Sequence, residues 1–221
     1  MGRAVLANGG PNMQHTLALA PTSPREPLAR LLAVAGRLDA DHMAGALIAR
    51  FGSLSATLAA DARQLAAVPG MSDRDAAFVT AAHEAALAAS FEAITRRCVI
   101  SSWSALLAYV KTAIQHEGRE QFRVLFLDKR NQILADEIQN YGTVDHAPVY
   151  PREVMRRALE LDACNLILVH NHPSGDPTPS HADVDMTRQL VEAGKALKIA
   201  IHDHLVVGRD GVASFKSLGL M

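Results

Sequence analysis

Residues 166–183 read LILVHNHPSGDPTPSHAD, and the way this stretch folds decides the rest of the chain. Leu166 to Val169 form a short, uninterrupted apolar run of the kind found in strands buried on both faces. Pro173, Gly175, Pro177 and Pro179 cannot extend that strand, because proline offers no N–H to a ladder, so the chain must turn and re-enter regular structure at Ser180. Residues two apart on a strand point to the same side, which lets His170 and His172 aim imidazole nitrogens at one point. A helix is predicted from about His181 to Leu197, and Asp183 in its first turn faces back toward the histidines. Two histidines and one carboxylate make a His₂Asp set with a position left open for water, the arrangement of a catalytic zinc site. Two plainer readings stand beside it. Ser180-x-x-Asp183 before an apolar helix is also a capping-box pattern, and alternating histidines taken alone are more often structural or surface groups. Capping and ligation are compatible, so both stay open here.

Upstream, Pro151 suits the first turn of a helix through Val154, Met155, Ala158 and Leu159; helix feeding strand implies an α/β layer. Phe122, Val124 and Phe126 define an earlier strand, and Asp128-Lys129-Arg130-Asn131 turns it into a second holding Ile133 and Ile138. Before that strand, a helix with the apolar face Trp103, Leu106, Leu107, Val110 and Ile114 is expected, capped by Ser101 or Ser102 and ended by Gly118. Downstream come a strand over Ile199–Val207, a turn at Gly208-Arg209-Asp210-Gly211 and a short strand near Phe215.

The N-terminal half reads differently. Residues 1–25 are rich in turn formers and are expected to be a flexible lead. Residues 26–95 carry Ala and Leu at helical spacing, and Val68-Pro69-Gly70-Met71-Ser72 reads as the tight turn between two helices. The expected organisation is therefore a lead, an all-α domain over 26–95 and an α/β domain over 99–221.

The 22 basic against 23 acidic residues give a formal net charge of −1, so no bulk field draws the protein to nucleic acid or anionic membrane. Cys98 and Cys164 lie too far apart in sequence to read as a disulfide framework, and the apolar surroundings of Cys164 predict a buried thiol. No apolar run of about 18 residues occurs, the first 14 residues lack a secretory pattern, and Leu6 breaks the myristoylation pattern. A soluble cytoplasmic protein without membrane contact is expected.

The string His170-x-His172-Pro173, six residues, Ser180, two residues, Asp183 resembles the JAMM motif of the MPN+ metalloprotease fold. The surrounding residues resemble its bacterial branch, the RadC family. These are Phe122 to Asp128, Gly142-Thr143-Val144-Asp145-His146, Tyr150-Pro151-Arg152-Glu153 and Ile201-His202-Asp203-His204. The resemblance covers most of residues 99–221. It implies a mixed sheet flanked by helices, with zinc held by His170, His172 and Asp183. It further implies that Glu120 is the general base for a zinc-bound water, that Ser180 helps hold an oxyanion, and that the substrate is a peptide or protein cleaved at a peptide or isopeptide bond. From its own neighbours, Glu117-Gly118-Arg119-Glu120, Glu120 would be an ordinary solvated charge.

His202 and His204 also alternate on a strand, yet they lack a carboxylate partner of their own; they are read as structural or as supports behind the ligands. His146 and Arg152 are candidates for substrate contact or for turn stabilisation. The competing function is a DNA-associated repair or recombination accessory protein or nuclease. Its basis is the turn at Val68–Ser72, which is similar to a helix-hairpin-helix element and would give weak DNA binding through the helical domain. Ser72 stands where that element carries its second glycine, and His170-Asn171-His172 is not an HNH nuclease, whose residues are dispersed along a ββα unit. An inactive scaffold is the third reading.

Overall fold

The computed structural model describes residues 23–95, 98–141 and 149–221. Five strands, β1 (Gln121–Leu127), β2 (Ile133–Tyr141), β3 (Asn165–Asn171), β4 (Ala200–Gly208) and β5 (Gly211–Ser214), form one sheet in the order β2-β1-β3-β4-β5. Only the central pair, β3 and β4, is parallel; the others are antiparallel. A parallel pair needs a crossover, and a long helix between Ser180 and Lys198 supplies it.

The two-residue period of the strands sorts the core by parity. Phe122, Val124, Phe126, Leu166 and Leu168 share one face with helix α7 (Pro151–Glu160), through Val154, Met155 and Ala158, and with α8 (His181–Leu197), through Leu190. Leu125, Leu127, Ile167, Val169, Leu205 and Val207 share the other face with α6 (Trp103–Ile114), through Leu106, Val110 and Ile114. This is a mixed α/β sheet covered by helices on both sides, which explains why Leu166–Val169 is apolar at every position.

A separate core lies in the N-terminal helices α1 (Arg25–Val34), α2 (Ala40–Phe51), α3 (Leu54–Ala59), α4 (Ala62–Ala66) and the first part of α5 (Asp73–Thr95). Leu28, Leu32, Met43, Leu47, Leu65 and Val79 are its largest buried aliphatic members. Gly70 takes φ +86° in the turn before α5, a conformation that side chains bearing Cβ rarely adopt. The 23-residue α5 serves both cores: Ala76 and Val79 pack among the helices, while Leu87, Phe91 and Ile94 pack against the sheet.

Several local expectations are corrected. Ser101 and Ser102 do not cap α6; a 3₁₀ turn over Val99–Ser102 leads into the helix, and both hydroxyls donate back to the Cys98 carbonyl, at 2.8 and 3.0 Å. Helix α6 stops at Ile114 with Gln115 as its C-cap, three residues before Gly118. Cys164 is exposed, because it sits in the turn before β3 and not within the apolar run. The short strand expected near Phe215 is present as β5, ending at Ser214, and Phe215 itself opens the short helix α9 (Phe215–Leu218). Residues 1–22, most of the expected lead, and 142–148, which include His146, lie outside the described residues. No helix among the described residues is long and apolar enough to cross a membrane.

Candidate metal centre

His170 and His172 stand at and just beyond the end of β3, on the face that carries Phe122 and Leu168. The chain leaving His172 is held down by the β4–β5 turn. His172 N donates to Val207 O at 2.9 Å, Asp210 N to Gly175 O at 3.1 Å, and Arg209 Nη2 to Ser174 O at 2.6 Å. The approach is close enough that a Cβ at Gly208 would lie 2.1 Å from the Gly175 carbonyl oxygen. Within the loop, Asp176 Oδ1 accepts from Thr178 N and Oγ1, at 2.9 and 2.7 Å, and the chain arrives at the start of α8.

There the capping box forms. Ser180 N and Oγ donate to Asp183 Oδ2 at 2.7 and 2.6 Å, and Asp183 N donates to Ser180 Oγ at 3.2 Å. One carboxylate oxygen is thereby committed to the helix start. The other, Oδ1, lies 3.3 Å from His170 Nε2, while His172 Nε2 is 3.5 Å from Oδ2 and 3.0 Å from His170 Nε2. A tetrahedral zinc with bonds of about 2.0–2.1 Å separates its ligand atoms by about 3.3–3.4 Å. The three side chains can each turn one ligand atom toward a shared centre, all within 4.8 Å of one another.

The protons on these rings follow from their partners. Thr187 Oγ1 is 2.6 Å from the Asp183 carbonyl, which can only accept, so the hydroxyl donates there. The same oxygen is 2.6 Å from His204 Nδ1, which must therefore carry a proton. His204 is fully buried, and burial, assisted by the neighbouring His170, pushes its pKa well below the usual histidine value, so the ring is neutral and its Nε2 is a lone pair. That lone pair accepts from His170 Nδ1 at 2.7 Å. In the neutral ring His170 Nε2 is then bare, and it lies 3.3 Å from Asp183 Oδ1. His172 Nδ1 lies 2.9 Å from the Asp176 carbonyl and donates to it, so in the neutral ring its Nε2 is bare as well.

Two lone pairs 3.0 Å apart, facing a carboxylate, repel one another unless positive charge lies between them. Contact with Asp183 raises the His172 pKa against the cost of burial, with the Asp176 carbonyl and the charges of Asp183 and Glu120 adding to the rise. Burial disfavours the Asp183 anion, but His170, His172 and Ser180 outweigh it and hold the carboxyl far below the usual carboxylate range. A proton on His172 can supply the missing charge, and so can a divalent cation. The donor set, two imidazole nitrogens and a carboxylate oxygen, fits the cation.

Glu120 directly precedes β1 and is half-buried. The β1–β3 register pairs Phe122 with His170, and two steps back along β1 match two steps forward on β3, which brings Glu120 level with His172. It lies outside the ligand grouping. His202 belongs elsewhere, with Nε2 2.6 Å from Asn131 Oδ1. Arg152 is 83% exposed and sits by Glu153 and the Tyr150 ring. Thr187 was not singled out from sequence; its signal is the spacing of four from Asp183, which places both on one face of α8.

The five-stranded mixed sheet with its crossover helix, and the His-His-Asp grouping where β3 meets α8, define a JAB-type domain of the MPN class. A family model for the RadC-like JAB domain matches residues 100–220, more than half of the chain, and the protein belongs to the RadC family. Membership and the grouping together are compatible with a metal site and with hydrolase chemistry.

Proposed function

We propose that this protein is a zinc-dependent metallohydrolase of peptide or isopeptide bonds, with His170, His172 and Asp183 as ligands and Glu120 as general base. The observation that carries the reading is the pair of imidazole Nε2 atoms set 3.0 Å apart against a buried carboxylate. Zinc, when bound, supplies a Lewis acid that polarises a carbonyl and makes water acidic near neutral pH.

The remaining work falls to the chain. Glu120, level with His172 but unligated, accepts the proton of the attacking water and delivers it to the leaving nitrogen. Amide hydrolysis needs that second transfer, because an amine leaves only when protonated. In the resting site the Ser180 hydroxyl holds Asp183 Oδ2; turning from it, the hydroxyl donates to the oxyanion while Ser180 N keeps Oδ2 in place. His204 and Thr187 hold the His170 ring and its tautomer from behind.

The DNA-associated reading gains nothing from the start of α5. Ser72 N, the group a phosphate would approach, donates to Asp75 Oδ2 at 3.2 Å, and Asp73 and Asp75 both load the first turn with negative charge. The test is cleavage of a peptide library by the zinc-loaded full-length protein. Cleavage is expected for the wild type and lost in Glu120→Ala; cleavage that survives Glu120→Ala contradicts the assigned base.

A further inference from the structure

We propose that Asn171 positions Glu120, an inference that rests on reading Glu120 as the general base. Asn171 lies between the two histidines, 1% exposed, and strand parity turns its side chain to the opposite face of the sheet, toward the segment joining α6 to β1. Its Oδ1 accepts from Gln121 N at 2.8 Å. Its Nδ2 donates to Glu117 O at 3.2 Å and to Arg119 O at 3.1 Å. The partners fix the amide orientation, since a backbone N–H requires the oxygen and two carbonyls require the NH₂ group.

These bonds grip the backbone on both sides of one residue, Glu120. Residues 117–119 are exposed and belong to no helix or strand, and beside the bond from Glu117 N to Ile114 O at 3.2 Å the bracket is what ties this segment to the sheet. With Arg119 O and Gln121 N both tied to the same buried side chain, the backbone of Glu120 loses its freedom and its carboxylate is delivered to one place. The anchor is the residue between His170 and His172, so base and ligands take their positions from the same end of β3. An aspartate would keep the acceptor for Gln121 and lose both donors; a serine is too short to span three groups.

The test uses the full-length protein and three readouts. In metal-free Asn171→Ala, exchange of the Gln121 amide should accelerate about tenfold or more, the loss expected for one buried hydrogen bond, with amides in the middle of β1 and in α8 unchanged. Zinc affinity, from competition with a chromophoric chelator, should stay within about threefold of wild type, whereas outer partners that act through the ligands cost about 10–100-fold. With cobalt(II) as the probe ion in ¹³C-glutamate-labelled protein, the Glu120 carboxylate should feel the paramagnet strongly in the wild type and much less in Asn171→Ala. If Asn171→Ala does not fold, Asn171→Asp decides the matter, keeping Gln121 protection while the Glu120 signal falls. Unchanged Gln121 exchange, an unchanged Glu120 signal, or zinc loss as large as in His172→Ala would each overturn the proposal. A wild type that binds no cobalt removes the metal reading alone, and the exchange result then still decides whether Asn171 brackets Glu120.

Discussion

Two helices in this protein begin with the same local device and put it to different uses. Ser72 and Asp75 at α5, like Ser180 and Asp183 at α8, join a serine hydroxyl and amide to a carboxylate three residues on, with hydroxyl contacts of 2.8 and 2.6 Å. Both carboxylates are buried, 7% and 8% exposed, and both are held below the ordinary carboxylate range although burial opposes it. The difference lies in what stands opposite. Asp75 meets Arg37, whose Nη1 approaches Oδ2 at 2.6 Å and brings a permanent charge, so that site is complete. Asp183 meets two imidazoles that carry charge only when protonated, so that site needs a proton or a cation to complete it. A capping box therefore does not specify function; the segment that packs against it does.

The largest effect should separate the two carboxylates by metal affinity. Asp183→Ala and His172→Ala are expected to weaken zinc binding by about a thousandfold or more in chelator competition, since each removes one of the three proposed ligands. Asp75→Ala should leave it within about threefold. A comparable loss in Asp75→Ala would erase the distinction.

Stability should divide them the other way. Asp75→Ala removes the buried partner of the Arg37 guanidinium, 13% exposed, and leaves it only the exposed Asp39 at 2.8 Å, so it is expected to cost about 2 kcal/mol in denaturant unfolding. Asp183→Asn in the metal-free protein should cost about 1 kcal/mol, a weakened cap only. Equal losses would mean that the imidazoles pair with Asp183 as completely as Arg37 pairs with Asp75.

The support behind His170 provides a smaller effect. Thr187→Val removes the acceptor for His204 Nδ1–H and frees both tautomers of the relay, so zinc affinity should fall about 10–100-fold with folding retained. Unchanged affinity would show that the ring needs no such support.

The smallest effect is the pH dependence. A ligand imidazole must be neutral, and the His172 pKa is raised, so protons compete with zinc starting above the usual histidine value of about 6.5. Affinity should be full above the raised pKa and fall about tenfold per pH unit below it. Affinity that stays flat down to about pH 6 would contradict the assignment of His172.

Much of this was legible in the sequence, because it rests on local rules. The apolar run Leu166–Val169, the strand period that aligns His170 with His172 and the cap that places Asp183 each need only a few neighbouring residues. Whatever depends on packing between distant segments was not legible. Thr187 and His204 meet only because α8 lies on β4, and Asn171 reaches the backbone around Glu120 only through the β1–β3 register. Glu120 itself sits in a charged turn that reads as solvated surface; resemblance singled it out, and the register brings it level with His172. Ser101 and Ser102 look like caps, but a 3₁₀ turn aims their hydroxyls backward.

X-ray absorption at the zinc edge on the purified full-length protein, with metal content measured on the same sample, tests the central claim most directly. One zinc per chain is expected, with two imidazole nitrogens and oxygen ligands at about 2.0–2.1 Å, and loss of that signal in His172→Ala. A wild type that stays metal-free in excess zinc, or zinc that persists unchanged in His172→Ala, would contradict it.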